Sequence, residues 1–196
     1  KNSISINQNL KRFIKSKKVW CASSTHYNEE ELCGQVHKQL KQKYKNLLTI
    51  IIPRHINRAS SIKDSLNKEG LKVHLHQPNT KIKNDTDIYV VNAYGQTKSF
   101  YSYCKNVFLG GSIINHGGQN PLEAARFGCN ILHGPNVSNF SEIYQFLKQN
   151  KISFKINRSK IMSRTLIKLF LNNKNSNKIK KKINLIGNKI LNDTYK

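Results

Sequence analysis

Residues 107–135 read VFLGGSIINHGGQNPLEAARFGCNILHGP. The apolar run Val107-Phe108-Leu109 ends in Gly110-Gly111-Ser112. A second glycine pair follows at Gly117-Gly118, and Asn120-Pro121-Leu122-Glu123 opens a short helical pattern. Gly128 stops that helix, and Asn130-Ile131-Leu132 has the character of the next buried strand. The order is strand, glycine-rich loop, helix, strand. Glycines let the backbone approach a ligand closely and adopt positive φ. The first helical turn leaves N–H groups without intrahelical partners, and its dipole favours an anion. Asn120 suits the N-cap, Pro121 the first helical position, and Glu123 the place from which a capping-box carboxylate reaches back. By shape alone the segment reads equally well as a capped helix or as an anion site.

The same alternation extends in both directions. Upstream, Val19 to Ala22 is a short apolar strand and Ser23 to Tyr27 a polar loop. Asn28 with Glu31 is then a capping box for a helix running to about Tyr44. The run Leu47 to Ile52, LLTIII, is a strand covered on both faces, as in a parallel sheet. A helix from Arg58 to Glu69 is closed by Gly70, a third strand spans Leu71 to Leu75, and Asp87 to Asn92 is a fourth. Gly95 to Cys104 and Asn139 to Asn150 read as helices and Ile152 to Ile156 as a last strand. Strands alternating with helices predict an α/β fold, a Rossmann-like doubly wound parallel sheet. Ligands bind such sheets beyond the carboxyl ends of the strands. Arg54, Tyr94-Gly95-Gln96, Ser112 and the segment from Gly117 to Glu123 all follow strand ends.

Three stretches are set apart at this level: a connector or partial helix over residues 1–17, the Rossmann-like unit over 18–157, and a basic tail over 158–196. In the tail Ile179, Ile183, Ile186 and Ile190 form a helical stripe, with Lys178, Lys180, Lys181, Lys182 and Lys189 on other faces. That pattern predicts a helix packing its stripe on the domain or on a partner; contact with a membrane surface is the sharper alternative.

Two further motifs precede the glycine-rich segment. Trp20-Cys21-Ala22-Ser23-Ser24-Thr25-His26, followed by Glu29 to Glu31, precedes Pro53-Arg54-His55 with Arg58. Together with HGGQNPLEAARFGCNILHGPNVSNFSEI they resemble the Kdo transferases, bacterial enzymes that attach Kdo sugars to lipid A. The resemblance covers roughly Val19 to Leu147, and several ordered motifs are far more specific than a lone glycine loop. It implies the C-terminal, donor-binding half of a GT-B glycosyltransferase, moving Kdo from CMP-Kdo to a lipid A precursor at the cytoplasmic face of the inner membrane.

On that resemblance Pro53 and Arg54 contact the nucleotide, and Tyr94, Gly95 and Gln96 line the cytidine site. Gln96 stands where the family has an acid, and Asn92-Ala93 where it has Asp-Thr. Glutamine still donates and accepts hydrogen bonds but brings no charge. Asn120, Pro121 and Leu122 turn backbone N–H groups to the nucleotide, and Glu123 accepts from the ribose hydroxyls. Ser112, Gly117 and Gly118 are further candidates, and His116 either donates to the sugar carboxylate or phosphate or holds the loop. The general base and lipid groove belong to an N-terminal domain, so this chain is expected to bind nucleotide without transferring sugar, and to be soluble by itself. No metal or other cofactor is implied. Asp85-Thr86-Asp87 spells a metal motif of another glycosyltransferase class but reads better as a turn entering a strand. His74 and His76 share a strand face with no third ligand.

The formal charge of +24 admits nucleic acid, an anionic membrane surface or an anionic substrate. The abundance of Lys, Asn and Ile also fits an AT-rich coding bias, and the basic residues are spread along the chain. A nucleic-acid module is the rival class, but no RNA-binding aromatic motif, zinc spacing or recognition-helix pattern supports it. A GT-B enzyme using another nucleotide sugar is the rival within the same architecture. Four cysteines, Cys21, Cys33, Cys104 and Cys129, show no CxxC spacing and are expected to stay reduced. No apolar run approaches the roughly eighteen residues of a membrane span.

Overall fold

A computed structural model describes residues 6–77, 80–172 and 176–184. Seven strands form one sheet: β1 (Lys18–Thr25), β2 (Leu47–Pro53), β3 (Val73–Leu75), β4 (Ile88–Val90), β5 (Asn106–Leu109), β6 (Asn130–His133) and β7 (Ser153–Lys155). Their order is β3-β4-β2-β1-β5-β6-β7 and every pairing is parallel. The helices are α1 (Gln8–Lys15), α2 (Glu29–Lys41), α3 (Ala59–Lys68), α4 (Thr97–Tyr101), α5 (Leu122–Arg126), α6 (Ser141–Gln149) and α7 (Ser159–Leu171). This is the doubly wound α/β fold that the alternating pattern predicts.

The run LLTIII shows why the sheet is covered twice. All of β2 is buried, and its side chains alternate between two cores. Leu48, Ile50 and Ile52 join Leu10 and Ile14 of α1 with Phe100, Ala124 and Leu147. Leu47 and Ile51 join Val36 and Leu40 of α2 with Leu66 of α3 and Met162 and Leu166 of α7. Thus α1 and α7, on either side of the central unit in sequence, each contribute to one face of the sheet. Residues 176–184 are helical, and Ile179 and Ile183 enter the same core as α1. Ile186, Lys189 and Ile190 lie outside the described residues.

Both expected capping boxes give way to other contacts. Asn28 sits at φ 69° with no side-chain cap, and Glu31 bonds Ser65 instead. It is Glu29 that reaches back, accepting from the His26 N–H at 2.9 Å. At α5 the Asn120 side chain accepts from Leu122 N–H at 3.0 Å, but Glu123 pairs with Lys98 at 3.4 Å and does not reach back. In each case a neighbouring element offers the carboxylate a partner that local spacing cannot reveal.

All four cysteines are free and buried. Asp85 pairs with Lys72, and Asp87 with His37 and Lys41. The DxD acids therefore tie α2 and the entrance of β3 to the start of β4. His74 stacks on Tyr89 at 5.5 Å, and His76 bonds the same tyrosine hydroxyl. Among the described residues no cluster of three His, Cys, Asp or Glu could hold a metal ion, and no helix is long and apolar enough to cross a membrane.

Candidate functional site

β1 lies mid-sheet, with β2 and β5 on either side. The chain winds outward from β1 in one direction through α2, then returns to β5 on the other side. The two connections part at that junction, so the crevice beyond the carboxyl ends of β1 and β5 is the topological switch point. β1 itself bulges at Ser24, near its carboxyl end, where φ is 55°.

A buried carboxylate binds these two loops together. Glu29, fully buried in the first turn of α2, accepts backbone N–H bonds from Gly111 at 2.8 Å, Ser112 at 3.1 Å and Ile113 at 3.0 Å, besides that of His26. Successive N–H groups form an anion-binding concavity, and here the protein's own carboxylate fills it. Gly110 is required by the close approach. A side chain there would collide with the Ser24 carbonyl and lie 2.6 Å from the Glu29 carboxylate. Ser112 is fully buried, donating to Leu109 O at 2.6 Å and accepting from Gly134 N at 2.8 Å. Its hydroxyl is thus committed to shaping the loop. Glu29 was not singled out as a site residue in the sequence, although the motif opening with Trp20 runs on into Glu29 to Glu31.

The second glycine pair folds back on the first. Gly117 and Gly118 have φ of 84° and 77°, and Gly118 N–H donates to Gly111 O at 2.8 Å. This carries His116 against His26, ring centroids 4.5 Å apart, while His55 meets His26 edge-on at 6.1 Å. Loops after β1, β2 and β5 therefore meet through three imidazoles. His26 Nε2 is buried with no hydrogen-bond partner. Burial, then the neighbouring His116, hold His26 below the ordinary histidine value, which Glu29 partly offsets.

Arg54 and Arg58, four residues apart, differ sharply. Arg58 forks onto Glu30 at 3.0 and 3.1 Å and lies 5.9 Å from the Tyr27 ring. Burial pushes the Glu30 carboxyl up, and the Arg58 fork opposes that shift. Arg54 is exposed on the rim, with its backbone N–H fixed to Thr25 O at 3.0 Å. Its guanidinium has no ion-pair or hydrogen-bond partner among the described residues.

The loop after β4, beside β2 in the sheet, carries Tyr94, 71% exposed, and Gly95 at φ 74°. Gln96 is buried, and its Oε1 accepts no bond. The Lys98–Glu123 pair brings the starts of α4 and α5 together. The backbone N–H groups of Gly117, Gln119 and Asn120 donate to no protein acceptor among the described residues. Pro53, Arg54, Tyr94 to Gln96 and Gly117 to Glu123 thus all lie at or after carboxyl ends of strands; Arg54, Tyr94, Asn120 and Glu123 are exposed there, while Pro53, Gln96, Gly117, Gly118 and Pro121 are buried.

No family model matches the chain. Curated proteins do. It is 31% identical over 158 residues to the 3-deoxy-D-manno-octulosonic acid transferase of Haemophilus influenzae, covering 81% of this chain and 37% of that protein. It is 34% identical over 169 residues to the probable mitochondrial enzyme of the same name from Arabidopsis thaliana, covering 85% of this chain and 38% of that protein. The chain is a homologue of the Kdo transferases. It spans somewhat more than a third of the length of these relatives. In fold it resembles the C-terminal CMP-Kdo binding domain of WaaA from Acinetobacter baumannii, with a TM-score of 0.81 at 19% identity, covering 91% of this chain and 94% of that one. A C-terminal glycosyltransferase domain, LpcC, from Francisella tularensis aligns with a TM-score of 0.51 at 13% identity, over 99% of this chain and 96% of that one. The Kdo-transferase likeness and the doubly wound sheet thus agree with the expectations drawn from the glycine-rich segment.

Proposed function

We propose that this chain is the donor-binding half of a GT-B Kdo transferase and holds CMP-Kdo across the crevice beyond β1 and β5. The observation that carries this reading is the meeting of the three motif loops at His26, His55 and His116. That meeting leaves the Arg54 guanidinium free on the rim.

As the bond between sugar and phosphate breaks, negative charge grows on the CMP phosphate. Arg54 meets that charge with a fork of N–H donors, and unpaired loop amides at Gly117, Gln119 and Asn120 add preorganised dipoles. Glu123 accepts from the ribose hydroxyls, and Tyr94 offers a ring to the base. The general base and the groove for a lipid A precursor belong to the remainder of the enzyme, at the cytoplasmic face of the inner membrane. No metal enters this scheme: arginine and backbone amides supply the positive potential.

A titration with CMP followed by amide NMR tests the reading. Selective shifts at Arg54, Tyr94 to Gln96 and Gly117 to Glu123 are expected, and Arg54→Ala should weaken CMP binding on the order of ten-fold or more. Unchanged affinity in the variant would remove Arg54 from the site. The second reading, another nucleotide-sugar donor, rests on Gln96 standing in place of the family's acid. Its side-chain oxygen can accept from a cytosine amino group and its amide can donate to a uracil carbonyl. UMP binding more tightly than CMP would favour that reading.

A further inference from the structure

The lysines, dispersed in the sequence, are gathered by the fold at the end of the sheet opposite the crevice. Segments entering the strands carry Lys15, Lys17 and Lys18 before and at the start of β1, Lys43 and Lys45 before β2, and Lys105 before β5. The helical residues 176–184 belong to the same end. Ser176 abuts Gly128 in the turn before β6, and Lys182 reaches Asn150 in the turn before β7 at 3.1 Å. Their apolar residues Ile179 and Ile183 are buried, so Lys178, Lys180, Lys181 and Lys182 all face solvent. The acids at this end are already engaged: Glu69 by Lys38, Asp85 by Lys72, and Asp87 by Lys41 and His37. An even lysine excess from coding bias would decorate both ends alike. The carboxyl end carries fewer cations: Arg54, Arg58 neutralised by Glu30, Lys98 paired with Glu123, and Lys155, Arg158 and Lys160 at and after the end of β7.

We propose that this amino-terminal end of the sheet docks on an anionic lipid bilayer. Lysines on a rigid face add their attraction to a negative surface without bidentate geometry. A cavity of about 500 Å³ opens among Lys15, Lys18 and Lys105, floored by Val19, Leu169 and Phe170, and suits a phosphate headgroup with apolar substituents. Beside it Leu171 is 69% exposed, an apolar side chain at the rim of a basic face. Nucleic acid fits less well. Single strands need exposed aromatic rings for stacking, and the strongly exposed aromatics among the described residues, Tyr27 and Tyr94, lie at the crevice end. Because the stripe of residues 176–184 is buried in the core, that helix contributes charge to the contact and inserts no apolar face.

The test is vesicle co-sedimentation of the whole chain, which needs no nucleotide and so fails or succeeds independently of the donor reading. Vesicles of phosphatidylglycerol and phosphatidylcholine at about 30:70 should bind at about 0.1 M salt and release at about 0.5 M, while pure phosphatidylcholine should not bind. Replacing Lys178, Lys180, Lys181 and Lys182 by Gln should lower partitioning by roughly several hundred-fold, at about five-fold per lysine. Circular dichroism should remain unchanged, since all four are exposed. Equal partitioning of wild type and variant would overturn the proposal. So would tighter binding to a mixed-sequence oligonucleotide than to vesicles at equal phosphate concentration, which would assign the face to nucleic acid.

Discussion

The two ends of the sheet are built from different chemistry. At the carboxyl end, two carboxylates are buried and individually held: Glu29 by four N–H groups, Glu30 by the Arg58 fork. At the amino end lysines predominate, most of them exposed, and the few acids are already paired. The first arrangement fixes geometry, because a buried charge that loses its partner is costly. The second fixes potential, because exposed charges tolerate movement and act in sum. A ligand site and a docking face call for these two solutions respectively.

The comparison is broken most severely at Gly110. Gly110→Ala forces a side chain into the Ser24 carbonyl and the Glu29 carboxylate, so a loss of more than about 4 kcal/mol, or no folded protein, is expected in denaturant titration. A stable, nucleotide-binding Gly110→Ala protein would show that the two loops are not clasped. Arg58→Ala comes next. It strands a carboxylate that is 1% exposed, with an expected cost of about 3 kcal/mol, moderated by the partial exposure of Arg58 itself. Arg54→Ala, four residues away, should leave the melting temperature unchanged while weakening CMP binding. Equal destabilisation by the two arginine variants would erase the distinction between support and ligand contact.

Acid pH sharpens the comparison at intermediate magnitude. Burial is the first cause holding His26, His37, His74, His76 and His133 below the ordinary histidine value. Each binds a proton more readily in the unfolded chain. The stability they contribute is therefore complete above about pH 6.5 and is lost as pH falls from there through the lower folded values. Asp87, held far below the carboxylate range chiefly by His37 and Lys41 against its own burial, keeps its contribution throughout that window. Melting temperatures should decline from about pH 7.5 to about pH 5.5, and a flat or rising profile would contradict the neutral, buried state. The smallest effect is expected from Lys180→Gln and Lys181→Gln, within about 0.5 kcal/mol of wild type in stability. A larger loss would mean that those lysines have structural partners.

Much of this was legible in the residues themselves. LLTIII announced a doubly covered parallel strand because every position is apolar or β-branched, and β2 is buried along its whole length. The glycine pairs announced close backbone approach and positive φ, which Gly110 and Gly117-Gly118 display. The stripe through Ile179 and Ile183 announced a helix docked on the domain. The capping boxes were misread because local spacing describes only what a side chain can reach within its own turn. Glu29 bonds residues 82 to 84 positions away, and no window of sequence contains that contact.

The sequence by itself determined a parallel α/β sheet, the order of its motif loops, the likeness to Kdo transferases and a large positive charge. Periodicity and composition are local or summed properties and survive without coordinates. Tertiary structure decided which N–H groups are spent on Glu29, which of Arg54 and Arg58 is free, and which end of the sheet collects the lysines. Each of these depends on contacts between segments distant in the chain, and only the parallel winding of the sheet brings all strand entrances to one end and all strand exits to the other.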